Sequence, residues 1–210
     1  IFERFPRMVR DLAHEQNKEA DFTIVGQDIE LDRTVIDRLG EPLIHLLRNA
    51  VDHGIEKTGK IQLTALRERD KVIIEVINEG KSIDWQKVIE VAVRKGIIDK
   101  VTGDKYSRNI GNWKLSTRGG SATGGEIGNL LYRVSTNEKI TETSGRGVGL
   151  SIVKSVIESL GGKVRIESRE EGTRFTLELP LTLAIIQALL VKVSDQIFAL
   201  PFTQIDRSVR

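Results

Sequence analysis

Apolar and polar positions change period several times along this chain, and each change marks an element. Phe2, Phe5, Val9, Leu12 and Ala13 recur at helical spacing and stop near Asn17, which predicts a helix followed by a strand over Asp21–Val25. From Asp28 to Gly54 the period remains helical, with Leu39, Leu43, Leu46, Leu47 and Ala50 as its apolar series. Pro42 is expected in a first helical turn, where its missing N–H has no partner to lose. Ile61–Arg67 and Val72–Ile77 alternate apolar and polar residues on either side of the charged break Glu68–Asp70, as an antiparallel hairpin does. Asp84 then stands as an N-cap before Val88, Ile89, Ala92 and Val93, and Gly96 supplies the stop.

Lys100 to Gly125 is rich in Gly, Ser, Thr and Asn and poor in aliphatic residues, a composition that predicts a mobile loop. Beyond it Leu150, Val153, Ile157 and Leu160 define a helix that ends at Gly161-Gly162. Lys163–Ser168 and Thr173–Leu179 form a second hairpin around Glu170–Gly172, so the sheet has at least four or five strands. The stretch from Leu181 to Arg210 is apolar and strand-rich but too short for its own core, and reads as the start of a second domain.

The chain has 210 residues, room for one ordinary domain and a short extension. With 32 Lys plus Arg against 30 Asp plus Glu, the net charge of +2 gives no long-range field to gather nucleic acid or an anionic membrane. Any anionic ligand must be caught by local geometry. Cysteine is absent, which removes disulfides, thiolate chemistry and sulfur-ligated zinc. No apolar run approaches a membrane span and the first ten residues lack a signal-peptide core, so a cytoplasmic location is expected.

Two constellations carry chemistry. His45, Arg48, Asn49 and Asp52 stand at i, i+3, i+4 and i+7 on one face of the second helix, leucines fill the other, and His53 lies just beyond. A merely solvated face normally uses Lys and Glu, whereas His, Asn and Asp are weaker helix formers that supply ligands and short hydrogen bonds. The second is Ser144-Gly145-Arg146-Gly147-Val148-Gly149-Leu150, which runs into a helix and sets unblocked backbone N–H groups beside a positive helix end, a place for phosphate. Its polar preceding segment argues against a dinucleotide fold, and the chain contains no P-loop motif.

Together these constellations resemble a known family. His45-Leu46-Leu47-Arg48-Asn49-Ala50-Val51-Asp52-His53-Gly54 resembles the N box of the CheA family of chemotaxis histidine kinases. Ser144–Leu150 is similar to that family's second glycine box, Phe5–Leu12 to its opening helix, and Leu179–Ala184 to its exit into a regulatory domain. The resemblance implies an α+β fold, the two-layer α/β sandwich (Bergerat ATP-binding fold) shared with gyrase and MutL, with a mixed sheet covered by helices on one face. It implies an ATP-binding catalytic domain over residues 1–183 and the truncated start of a CheW-like regulatory domain over 184–210. The cofactors implied are ATP and Mg²⁺. His45 and Asn49 are the implied catalytic and metal residues, with Asn49 ligating the metal and His45 and His53 beside the γ-phosphate, while Gly145, Arg146, Gly147, Val148, Gly149 and Leu150 wrap the phosphates. Arg48 and Asp52 on the N-box face, Asn78, Gly80 and Ser82 at the first glycine box, Lys87 on the following helix, and Ser135 and Thr136 in the lid complete the implied nucleotide site.

The implied reaction transfers the γ-phosphoryl group to a His on a separate phosphoacceptor domain, so positioning and charge dispersal suffice and no nucleophile is needed here. The implied partners are that acceptor domain, a downstream response regulator, and a coupling protein and chemoreceptors reached through the regulatory domain. A homodimer is implied for the intact protein and a monomer for this chain, with no nucleic acid and no membrane insertion. Two departures stand out: the family's D-x-G-x-G reads Asn78-Glu79-Gly80-Lys81-Ser82, and the lid reads Leu130-Leu131-Tyr132-Arg133-Val134 before Ser135-Thr136. Asn78 forms only a neutral bond with an adenine amino group, which implies binding weaker by about tenfold. Ser82 is strained if its backbone needs positive φ. A weakened or inactive nucleotide-sensing or scaffolding domain is therefore the first alternative. An ATP-hydrolysing clamp is the second, disfavoured by His45 at the place of a general-base Glu.

Overall fold

The computed structural model describes residues 2–116, 130–134, 149–169, 171–181, 188–193 and 196–201. In chain order the main elements are α1 (Phe5–Glu15), β1 (Glu19–Val25), α2 (Arg33–Asn49), β2 (Thr58–Glu68), β3 (Lys71–Glu79), α3 (Trp85–Arg94), α4 (Lys100–Ser116), α5 (Leu150–Ser159), β4 (Lys163–Arg169), β5 (Gly172–Pro180), β6 (Ala188–Val193) and β7 (Gln196–Pro201). A 3₁₀ turn over Phe2–Arg4 leads into α1, and a π turn over Ala50–Gly54 follows α2 directly.

Five strands form one sheet in the order β1-β2-β3-β5-β4. β1 and β2 run parallel, joined across α2, and the remaining pairs are antiparallel, so the sheet is mixed. Register follows from alternation. Ile61, Leu63 and Ala65 face the same side as their partners Asn78, Val76 and Ile74, and these align in turn with Thr173, Phe175 and Leu177. That side is buried beneath Phe5, Val9, Leu39, Leu43, Leu46, Leu47, Val153 and Ile157 from α1, α2 and α5. The fold is a two-layer α/β sandwich. The opposite side carries charge: Arg165 Nη2 lies 2.8 Å from Glu178 Oε1, Arg174 Nη1 3.6 Å from Glu75 Oε1, and the Thr176 hydroxyl donates to Glu75 at 3.2 Å. One apolar and one paired polar face is what an antiparallel sheet covered on one side requires.

A second, smaller core forms around Trp85, Ile89, Ala92, Leu130 and Val134, with Ile98, Tyr106 and Ile110 packed against it. It explains the main correction to the sequence reading. Lys100 to Ser116, expected as a mobile loop, is the helix α4; residues 117–125 lie outside the described residues. Asp99 accepts a hydrogen bond from the backbone N–H of Thr102 at 2.7 Å, capping the first turn. Gly103 is a contact glycine rather than a loop glycine, since a Cβ there would stand 2.6 Å from Val93 Cγ2 of α3. Packing against α3 outweighs the weak helix propensity of the segment.

Two smaller corrections concern α2. It starts at Arg33, with Asp32 as N-cap accepting from Thr34 N at 2.8 Å, so residues 28–32 are not helical. Pro42 lies well inside it rather than in a first turn. The pyrrolidine removes one intrahelical donor and is buried among the core leucines. β6 and β7 pair as a separate two-stranded sheet with Leu189, Leu190, Val193, Ile197 and Phe198 exposed. No helix among the described residues is long and apolar enough to cross a membrane.

Candidate functional site

The leucines of α2 are fully buried, which turns His45, Arg48 and Asn49 to the other side of the helix and into a cavity of about 1050 Å³. The π turn then carries Asp52 and His53 to the same cavity. Wide turns of this kind interrupt the helical period and occur often at functional sites. The i+7 spacing read from the sequence thus reaches the cavity through a local change of helix type.

The far wall is the end of β3. Asn78 is 4% exposed, and its side-chain Nδ2 donates to the carbonyl oxygens of Gly54 at 3.1 Å and Lys81 at 3.4 Å. Carbonyl acceptors on both contacts fix the amide with its nitrogen toward them, leaving Oδ1 as the acceptor this residue can offer to a ligand. Gly54 accepts a second bond from Lys81 N at 2.8 Å. Both glycines at this crossing are required. A Cβ on Gly54 would lie 2.5 Å from Asn78 Cγ, and one on Gly80, whose φ is +141°, would lie 2.5 Å from the Gly54 oxygen.

The segment that follows is pinned from three sides. Thr173 Oγ1 donates to Lys81 O at 3.4 Å, Ser168 Oγ accepts from Ile83 N at 2.7 Å, and Asp84 caps α3 by accepting from Lys87 N at 3.0 Å. Ser82 lines the cavity and is not among the positive-φ residues, so the strain its replacement of Gly raised does not arise. Lys87 also lines the cavity.

Among the described lining residues, five Lys or Arg (Lys18, Arg48, Lys57, Lys81, Lys87) face three acids (Asp52, Glu56, Asp84), with His45 and His53 beside them. The balance suits an anionic ligand. Lys81 Nζ sits 2.9 Å from Glu56 Oε1, and its hydrogen bond and charge hold the Glu56 carboxyl below the usual range. His45 Nε2 lies 3.9 Å from Glu41 Oε1 one turn earlier. Gly149 and Leu150, at the start of α5, border the cavity, and Gly149 makes no side-chain cap. Ile152 N donates to Gly149 O at 3.1 Å, and a helix N-terminus of this kind favours an anionic ligand.

His45, Arg48, Asn49, Asp52, His53, Asn78, Ser82, Lys87, Gly149 and Leu150 thus line one cavity, whereas Gly80 supports its wall from outside. Ser135, Thr136, Gly145, Arg146, Gly147 and Val148 lie outside the described residues. Sequence reasoning missed Lys18, Glu56, Lys57, Thr173 and Phe175, which reach the cavity only through folding. Thr173 is set there by β-pairing, opposite Asn78. Among the described residues no group of three or more His, Cys, Asp or Glu could cage a metal. The donor set fits a hard divalent cation that takes one side-chain oxygen and draws its other ligands from a bound phosphate chain and water, as Mg²⁺ commonly does.

Residues 34–183 match the family described as histidine kinase-, DNA gyrase B- and HSP90-like ATPase. Chemotaxis protein CheA of Bacillus subtilis is 39% identical, over 98% of this chain and 30% of that protein. Chemotaxis protein CheA of Halobacterium salinarum is 38% identical over 100% of this chain and 31% of that protein, and sensor histidine kinase CheAY of Helicobacter pylori 38% identical over 100% and 26%. The chain spans about a third or less of the length of these relatives.

Proposed function

Since the chain belongs to the family of histidine kinase-, DNA gyrase B- and HSP90-like ATPases, we propose that it binds Mg-ATP in the cavity between α2 and β3 and passes the γ-phosphoryl group to a His on a separate domain. The observation that carries this reading is the meeting of the N-box face (His45, Arg48, Asn49, Asp52, His53), Asn78 and the start of α5 around one cation-rich cavity. Asn49 supplies the oxygen ligand for Mg²⁺, with His45 flanking it, and the metal when bound draws charge from the phosphates. Arg48, His53, Lys87 and the first N–H groups of α5 hold the phosphate chain, joined by Gly145–Val148. Asn78 Oδ1 accepts from the adenine amino group, and Gly80 and Ser82 shape that end. Ser135 and Thr136 belong to the lid. The chain's part in the reaction is to orient and neutralise, which a loose phosphoryl-transfer transition state rewards.

The unstrained Ser82 and the cavity-lining Asn78 favour a working site over a degenerate scaffold. We assign residues 1–183 to this domain and 184–210, with its exposed apolar hairpin, to the beginning of a CheW-like regulatory domain. The partners proposed for the intact protein are the acceptor domain, a response regulator, and a coupling protein with chemoreceptors, acting in the cytoplasm as a homodimer. Calorimetric titration with Mg-ADP, followed by phosphotransfer from ATP to an added His-bearing acceptor domain, tests the reading. Asn49→Ala is expected to remove the Mg²⁺ dependence of binding and to abolish transfer; transfer undiminished in that variant refutes the assignment.

A further inference from the structure

We infer that Lys18, which no motif marks, is a positioning residue that clamps and neutralises the end of the N-box helix where the phosphates of the nucleotide lie; this rests on the ATP reading above. The ammonium of Lys18 donates to the carbonyl oxygens of Val51 at 2.6 Å and Asp52 at 2.9 Å. Those carbonyls belong to the π turn that ends the helix and cannot all find partners within it. A neighbouring contact holds the same turn: Gln16 Nε2 donates to Asp52 Oδ1 at 2.5 Å. Both residues come from the turn between α1 and β1, built by backbone bonds from Asn17 N to His14 O at 3.0 Å and from Lys18 N to Ala13 O at 2.9 Å. Asn17 takes φ of +54°, a left-handed helix-ending conformation that Asn tolerates better than most residues, and so turns the chain back toward the N box.

Charge gives the contact its selectivity. A helix C-terminus carries roughly half a negative charge, the wrong sign beside a polyphosphate. Lys18 lines the cavity and lays a full positive charge on that terminus. An uncharged ligand gains nothing from this, whereas each added phosphate gains more. Lys18 also fixes the carbonyls of the two residues next to His53, so the π turn keeps the shape that presents Asp52 and His53.

The test is calorimetric titration of the full chain with Mg-ADP and with adenosine, for the native sequence, Lys18→Met and Lys18→Arg. Lys18→Met is expected to weaken Mg-ADP binding about tenfold or more while adenosine changes by less than about twofold, and Lys18→Arg to restore most of the loss. Equal weakening of both ligands means a structural role only and overturns the inference, as does unchanged Mg-ADP affinity. Hydrogen exchange of the Val51–Gly54 amides in the ligand-free chain supplies a separate readout, expected to quicken in Lys18→Met and not in Lys18→Arg. Unchanged exchange overturns the clamp. Quickened exchange in a chain whose native form binds no Mg-ADP overturns the ATP reading, and with it the phosphate role of Lys18, while leaving the clamp standing.

Discussion

Replacing Asn78 by Asp restores the residue that the resembling family carries, yet the structure predicts a cost to the fold. The Asn78 nitrogen donates to Gly54 O and Lys81 O, and the residue is 4% exposed. A carboxylate turns both contacts into oxygen against oxygen, and Lys81, the nearby cation, is engaged with Glu56. Losing two neutral hydrogen bonds and burying an unsatisfied acceptor together cost about 2–3 kcal/mol. For a chain of this size that lowers Tm by roughly 4–12 °C. Binding moves the other way, because a charged acceptor strengthens the bond to an adenine amino group by about 1 kcal/mol over a neutral one, under tenfold in Kd. The assay is a thermal melt paired with titration by Mg-ADP at neutral pH. A variant as stable as the native chain refutes the argument, since the amide nitrogen would then not be the group that ties β3 to the N box.

Three further outcomes are expected. Gly54→Ala puts a Cβ 2.5 Å from Asn78 Cγ, and this overpacking costs about 1–3 kcal/mol, read in urea melts, with weaker Mg-ADP binding as the two walls are pushed apart. Leu43→Ala, at a fully buried position of α2, costs about 2–5 kcal/mol in the same melts. The Asp99 carboxyl is held below its ordinary value of 3.8, first by the backbone N–H of Thr102. Its folded-state pKa is depressed, so the stabilisation is present above that ordinary value and is lost as pH falls through the lower folded value. Helical circular dichroism is expected to fall in that acid range, and to fall less in an Asp99→Ala variant.

The five-strand sheet and the N-box face were legible because each rests on local repetition. Alternation in Val72–Ile77 and Thr173–Leu179 gave the strands, and the leucines of α2 gave a buried side that left His45, Arg48 and Asn49 opposite. α4 was illegible for a physical reason: Gly103 signals a loop locally and a close helix contact tertiarily, and only the second applies. Pro42 misled in the same way, since burial among leucines holds it within a helix that its backbone disfavours. Lys18 and Thr173 reach the cavity through a turn and a β-pairing whose partners lie far off in sequence, beyond the reach of any spacing rule. The π turn depends on Lys81, Asn78 and Lys18 closing on its carbonyls, none of which a helical period can encode.

The two hydrophobic cores are unequal, and the cavity opens between them. Its walls take Ile44, Leu150 and Phe175 from the side of the larger core and Val88, Val91 and Val134 from the smaller, and Leu131 packs against both. Opening of the smaller unit removes the wall that α3 and residues 130–134 supply, and ligand affinity carries that opening equilibrium as a multiplying factor. A substitution deep in the α3–α4 interface, remote from any ligand atom, lowers apparent affinity in proportion to the closed population it removes, and saturating ligand hides the defect.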